Sequence, residues 1–148
     1  MTEFETVAVN ALVVRGIAVV VTDYHGLGTP ATHDWLNRLA EAHAVLDAVR
    51  AAQRLAGTTI DSSGPVGLFG YSQGGGAAAA AAELQPTYAP ELDLRGAYLG
   101  APAVDPLAVL EAVDLMIGKG FIGFALNGLA ADYPEAPTDP DYWRGSRQ

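Results

Sequence analysis

Cysteine is absent from the 148 residues, lysine occurs once against seven arginines, and acids outnumber bases 17 to 8. Without cysteine there is no disulfide and no thiolate metal site, and the redox compartment leaves no mark on the sequence. The net charge of −9 lacks the basic face that nucleic acid and anionic membrane surfaces demand. Long apolar runs are missing too. The most apolar stretch, residues 115–131, is broken by Lys119, Asn127 and four glycines, short of the roughly 20 apolar residues that span a bilayer. The opening Met1-Thr2-Glu3-Phe4-Glu5 has neither the basic start nor the apolar core of a secretion signal. No repeat of solenoid or propeller length occurs, and neither G-x-x-x-x-G-K-[ST] nor H-E-x-x-H is found. The three histidines have no metal-ligand spacing, so neither metal nor cofactor is expected. What remains is a half-apolar chain of one-domain length with 17 glycines and 9 prolines.

Strand and helix patterns alternate along it. Residues 3–14 read as a short helix stopped at Arg15-Gly16, and residues 17–22 (IAVVVT) as a β-branched strand buried on both faces. After a turn at 23–30, Thr32 or Asp34 can cap a long helix to Ala56, with Trp35, Leu39, Ala42, Leu46 and Val49 on one face. Residues 66–69 (VGLF) form a second short buried strand, 73–84 a helix ending before Pro86, and 94–99 a third strand. Asp105-Pro106 then opens a helix to about Leu115. This order predicts an α/β fold with a parallel sheet and right-handed crossovers. The last third differs: an apolar run at 121–129 precedes an acidic segment with three prolines, read as a partial cap and a loose tail.

Gly70-Tyr71-Ser72-Gln73-Gly74 is a G-x-S-x-G pentapeptide between a predicted strand and a predicted helix, the setting of a nucleophile elbow. The spacing has a steric reason. Ser72 would sit in a strained turn that lifts its hydroxyl above the sheet, and the flanking elbow glycines Gly70 and Gly74 remove colliding side chains. With four serines and 17 glycines in 148 residues, about 0.05 chance matches are expected. The plainer alternative is a glycine-rich turn with an incidental serine. That alternative leaves Gly74, Gly75 and Gly76 unexplained, since each costs a helix about 1 kcal/mol against alanine. Close backbone packing on the sheet explains them.

Gly26-Leu27-Gly28-Thr29-Pro30-Ala31 formally fits the dinucleotide pattern G-x-G-x-x-A. Proline at its fifth position removes an amide donor, and Asp47, about twenty residues on, falls inside a helix. The histidines, His25, His33 and His43, all precede Ser72. An α/β-hydrolase triad runs serine, acid, histidine along the chain, and a neutral serine without a base is a poor nucleophile. His25 lies in a loop at the same sheet edge as Ser72, which leaves a rearranged dyad conceivable. His33 reads as near a helix start, and His43 as structural or solvated in mid-helix.

The segments RGIAVVVTDYHGLGTP (15–30), LDAVRAAQRL (46–55), PVGLFGYSQGGGAAAAAAELQPTYAPELDLRGAYLGAPAVD (65–105) and GFIGFALNGL (120–129) resemble the secretory lipase family, triacylglycerol lipases of α/β-hydrolase fold and yeast lipase A type. The resemblance implies ester hydrolysis of acylglycerols through an acyl-enzyme, extracellular localisation, and a helical cap over the acyl site. By position it makes Ser72 the nucleophile, the backbone N–H of Gln73 the first oxyanion donor, and Asp23 the acid beside the oxyanion. Such an acid donates a hydrogen bond only when protonated, which an apolar, anion-poor site favours. Asp23 has a second reading, as the residue that ends its strand and turns the chain. Phe121, Phe124 and Leu126 resemble cap residues that touch an acyl chain, with ordinary helix core as the alternative.

The resemblance also implies parts that this sequence lacks: a signal peptide, earlier strands, and a triad acid and histidine beyond the residue matching Gln148. Asp105 and Asp114 fall too early to be the triad acid. The expectation is therefore a partial α/β-hydrolase core over 1–115, with a partial cap and tail over 116–148. Activity would be impaired by the missing acid and base. Its partners are an acylglycerol or other ester, with no nucleic acid and no transmembrane segment, and exposed sheet edges could pair with a second copy. The alternative is a non-catalytic remnant that binds acyl groups or a protein partner through residues 115–131.

Overall fold

The computed structural model describes residues 3–105, 108–109 and 119–135. In chain order the elements are α1 (Glu3–Val13), α2 (Arg38–Gln53), β1 (Val66–Tyr71), α3 (Gln73–Tyr88), β2 (Leu94–Gly100) and α4 (Lys119–Asp132). β1 and β2 pair in parallel, Gly67 opposite Gly96 and Tyr71 opposite Gly100, with a register shift between Val66 and Gly67. A parallel pair needs a crossover, and α3 supplies it. That helix lies on one face of the pair and packs on its other side against α2. The core is narrow and alanine-rich: Ala42 and Leu46 of α2, Ala78, Ala80 and Ala81 of α3, Leu68 of β1, and Ala89 and Leu92 after α3. Small side chains let the α3 backbone come close to both neighbours.

α2 begins later than the sequence predicts. Asn37, and neither Thr32 nor Asp34, caps it by accepting the N–H groups of Leu39 and Ala40 at 3.1 and 3.2 Å. Leu36 has φ +63°, a conformation that no helix continues through, so Trp35 stays in the preceding loop. Ala42 and Leu46 are buried as expected, whereas Leu39 is exposed and Glu41 takes a buried place beside Ala42. α3 runs past its expected end, with Pro86 inside its last turn. The Gln85 side chain steadies that turn by donating to the carbonyls of Ala89 and Leu92 at 2.9 and 3.0 Å. Asp105 caps as expected, its carboxylate accepting the Ala108 N–H at 3.1 Å; residues 110–115 lie outside the described residues.

The strand expected at 17–22 is not formed. Among the described residues the sheet has two strands, β1 and β2, and residues 17–22 join no ladder. Ile17, Val20 and Val21 are about half exposed. β-branched composition makes a segment fit for a sheet, but a strand forms only where a neighbour offers backbone partners. The strand that does form at 66–71 is buried on one face, with Leu68 and Gly70 inside and Phe69 and Tyr71 outside. On that open face Phe69 stacks on Tyr98 of β2 with ring centroids 4.8 Å apart.

Candidate active site

Ser72 stands at the junction of β1 and α3 with φ 55° and ψ −116°. A non-glycine residue rarely holds this backbone, and it persists only where the surroundings over-determine it. Those surroundings are specific. The Ser72 N–H donates to the Gly100 carbonyl at 2.9 Å, and the Ser72 carbonyl accepts the N–H groups of Gly76 and Ala103 at 3.0 and 3.2 Å. Ala101, just past β2, is itself at φ +41°. The serine is exposed, and its hydroxyl does not cap α3. Gln73 is the first residue of α3, where a backbone N–H has no acceptor within the helix. Because a peptide group is planar and trans, pinning the Ser72 carbonyl also fixes the direction of the Gln73 N–H on its opposite side.

The elbow glycines divide by the atoms around them. A Cβ on Gly70 would stand 1.9 Å from the Gly74 carbonyl oxygen, and one on Gly75 2.5 Å from the Gly100 carbonyl oxygen. A Cβ on Gly76 would meet the Ala103 oxygen at 3.1 Å. Gly74 is less crowded: its nearest neighbour would be the Tyr24 hydroxyl at 3.8 Å. Backbone packing thus accounts for Gly70, Gly75 and Gly76.

A loop at residues 23–37 comes up against this elbow. Gly26 and Gly28 serve its turn, both at positive φ, and a Cβ on Gly26 would lie 2.4 Å from the Thr32 carbonyl oxygen. Helix α2 opens only at Arg38, so these glycines do not form a dinucleotide loop. The Gln73 side-chain amide bridges elbow and loop: Nε2 donates to Glu41 Oε1 at 2.7 Å and approaches His33 Nε2 at 3.3 Å. His33 Nδ1 lies 2.8 Å from the His25 carbonyl, to which it donates, so Nε2 is left as the acceptor that faces Gln73. The same Glu41 oxygen accepts the Leu36 N–H at 3.0 Å. Glu41 is 3% exposed, and burial pushes its carboxyl above the ordinary range despite the bonds from Gln73 and Leu36 that favour the anion. Tyr24, at φ +55°, has its phenol pushed up to about 12 by burial and then by the charges of Glu41 and Glu5.

Glu41 has a consequence for stability. The folded chain holds its proton more tightly than the unfolded chain. Its contribution is therefore full below the ordinary value of 4.5 and is lost as pH rises through the raised folded value. Urea unfolding across pH 4 to 8 is expected to show Glu41→Gln removing part of the fall in stability above about pH 4.5; an identical slope in parent and variant would contradict this.

The other candidates are distributed as follows. Asp23 is exposed, beside Tyr24. His25 is turned to Asp34, Nδ1 to Oδ2 at 3.4 Å, and no bond joins it to Ser72. Asp34 is buried, and its Oδ1 has no hydrogen-bond partner. His43 stacks on Tyr88 with centroids 4.1 Å apart, which is a structural role. α4 reaches the same loop: Gly128 is buried against it, where a Cβ would meet the Trp35 nitrogen at 2.8 Å, and Asn37 donates to Asp132 at 2.5 Å. Leu126 is half-buried on this helix, and the side chains of Phe121 and Phe124 lie outside the described residues. Among the described residues no helix is long and apolar enough to cross a membrane. Sequence reading passed over Glu41 and Tyr24. With the helix expected to open at Thr32 or Asp34, Glu41 falls inside it, where nothing in its neighbours sets it apart from any other charged helical residue.

The secretory lipase family matches residues 1–138. Lipase 10 of Candida albicans is 39% identical over 137 residues, 90% of this chain and 29% of that protein. A probable inactive lipase of Mycobacterium tuberculosis is 33% identical over 134 residues, again 90% of this chain and 29% of the relative. The solved structure of Candida antarctica lipase A in its closed state superposes with a TM-score of 0.53 at 31% identity, over 77% of this chain and 25% of that one. The chain thus spans less than a third of the length of these relatives, and its parallel pair with flanking helices is part of an α/β-hydrolase fold. The elbow sequence, the strained serine between strand and helix, and a match over most of its length together make this chain a member of the secretory lipase family.

Proposed function

We propose that this chain carries the nucleophile and oxyanion elements of an extracellular triacylglycerol lipase, with Ser72 forming the acyl-enzyme. The observation that carries the reading is the exposed Ser72 at a backbone of φ 55° and ψ −116°, between β1 and the N-terminus of α3. In acylation Ser72 Oγ attacks the ester carbonyl and its proton passes to a base; as the C–O bond of the ester breaks, the protonated base returns that proton to the departing alkoxide, which leaves as an alcohol. The Gln73 N–H supports the oxyanion, and Asp23 is the acid proposed beside it. Residues 1–115 would form the core and residues from 116 the cap, with Phe121, Phe124 and Leu126 towards the acyl chain. No histidine follows Ser72 in these 148 residues, so acylation by this chain alone is slow.

A second reading, a non-catalytic remnant that binds acyl groups or a protein partner, is favoured by the relative called a probable inactive lipase. A fluorophosphonate separates the two. The serine oxygen displaces fluoride from phosphorus, a P–O bond replaces P–F, and the proton goes to water. The enzyme reading expects slow labelling that approaches one adduct per chain and is absent in Ser72→Ala. A folded parent chain that takes up no more label than Ser72→Ala would support the remnant.

A further inference from the structure

The helix that follows the nucleophile begins with a side chain tied to a buried acid on another helix. Gln73 Nε2 has two protons, and both are placed: one on Glu41 Oε1 at 2.7 Å, the other towards His33 Nε2 at 3.3 Å. The Glu41 oxygen also holds the Leu36 N–H, at the left-handed residue that ends the 23–37 loop. Buried carboxylates are costly to keep, and Glu41 is buried at a position where an apolar residue would extend the Ala42 and Leu46 face.

We propose that Glu41 is a positioning residue for the oxyanion donor, holding Gln73 by its side chain so that the 72–73 peptide presents its N–H at one fixed angle. The proposal rests on the reading of Ser72 as nucleophile and Gln73 N–H as donor. The peptide is gripped from both ends. Its carbonyl is held by Gly76 and Ala103, and the residue that bears its N–H is held by Glu41. Through Leu36 the same carboxylate also ties down the end of the loop that begins with Asp23 and Tyr24. Oxyanion donors act by being pre-set, and displacement of about 1 Å can cost about a hundredfold in rate.

The test measures the fluorophosphonate labelling rate of Ser72 on folded 148-residue chains. Glu41→Asp keeps the charge but withdraws the acceptor by one methylene, whereas Glu41→Gln keeps the reach and loses the charge. Positioning predicts that Glu41→Asp slows labelling about tenfold and that Glu41→Gln stays within about threefold of the parent. Gln73→Ala, which keeps the backbone N–H, should reproduce the tenfold loss even if a Glu41 variant fails to fold, and the double variant should add nothing further. Parent-like labelling of Gln73→Ala, additive losses, or the reverse order of the two Glu41 variants would overturn the proposal. A parent chain that does not label overturns the nucleophile reading first, and this one with it.

Discussion

Gly70→Ala is expected to lower folding stability by about 3 kcal/mol or more and to abolish Ser72 labelling in whatever chain remains folded. The added methyl would stand 1.9 Å from the Gly74 carbonyl oxygen and 2.2 Å from its carbon, and these are backbone atoms that no rotamer change can move aside. Relief requires α3 to withdraw from β1, which also pulls Gly76 away from the Ser72 carbonyl. Gly74→Ala is the matched contrast. Its methyl would find the Tyr24 hydroxyl at 3.8 Å, an ordinary contact, and alanine gains up to about 1 kcal/mol of helix propensity. Denaturation midpoints for the two variants would therefore move in opposite directions. Equal losses at both positions would show that the crowding is not at the β1 end of the elbow.

Ser72 carries the second large effect, and it splits stability from chemistry. Holding serine at φ 55° and ψ −116° stores roughly 1–3 kcal/mol of backbone strain. Glycine adopts this conformation freely, at the expense of roughly 0.5–1 kcal/mol for its looser unfolded chain. Ser72→Gly is thus expected to raise stability by about 1 kcal/mol, while Ser72→Ala changes it by less than about 0.5. Both variants lose all labelling. Urea unfolding with mass spectrometry reads the two effects on one sample. A Ser72→Gly variant that is less stable than the parent would mean that the turn is unstrained.

Much of this was legible because the decisive features are local. The strand, the bend and the start of the helix follow one another around Ser72 in β1 and early α3, and Gly70 meets the backbone of Gly74 four residues on, whereas Gly75 and Gly76 are crowded by Gly100 and Ala103 at and beyond the end of β2. The alternation of strand and helix likewise gave the β1–α3–β2 crossover, with α3 longer by one turn because Gln85 and a bound Ala89 N–H shelter the end beyond Pro86. What depends on distant partners was not legible. Residues 17–22 have a strand's composition but no ladder in the described structure, and the capping of α2 turned on the left-handed Leu36. Glu41 and Gln73 are 32 residues apart, and nothing in either one's neighbours announces the other.

The most direct measurement is a crystal structure of the 148-residue chain after reaction with a small alkyl fluorophosphonate. It should show phosphorus bonded to Ser72 Oγ, the serine still near φ 55°, the phosphoryl oxygen facing the Gln73 N–H, and Gln73 still bound to Glu41. An unmodified Ser72 in a relaxed helical or extended backbone, with its oxygen turned into the core, would contradict the elbow and the chemistry proposed on it.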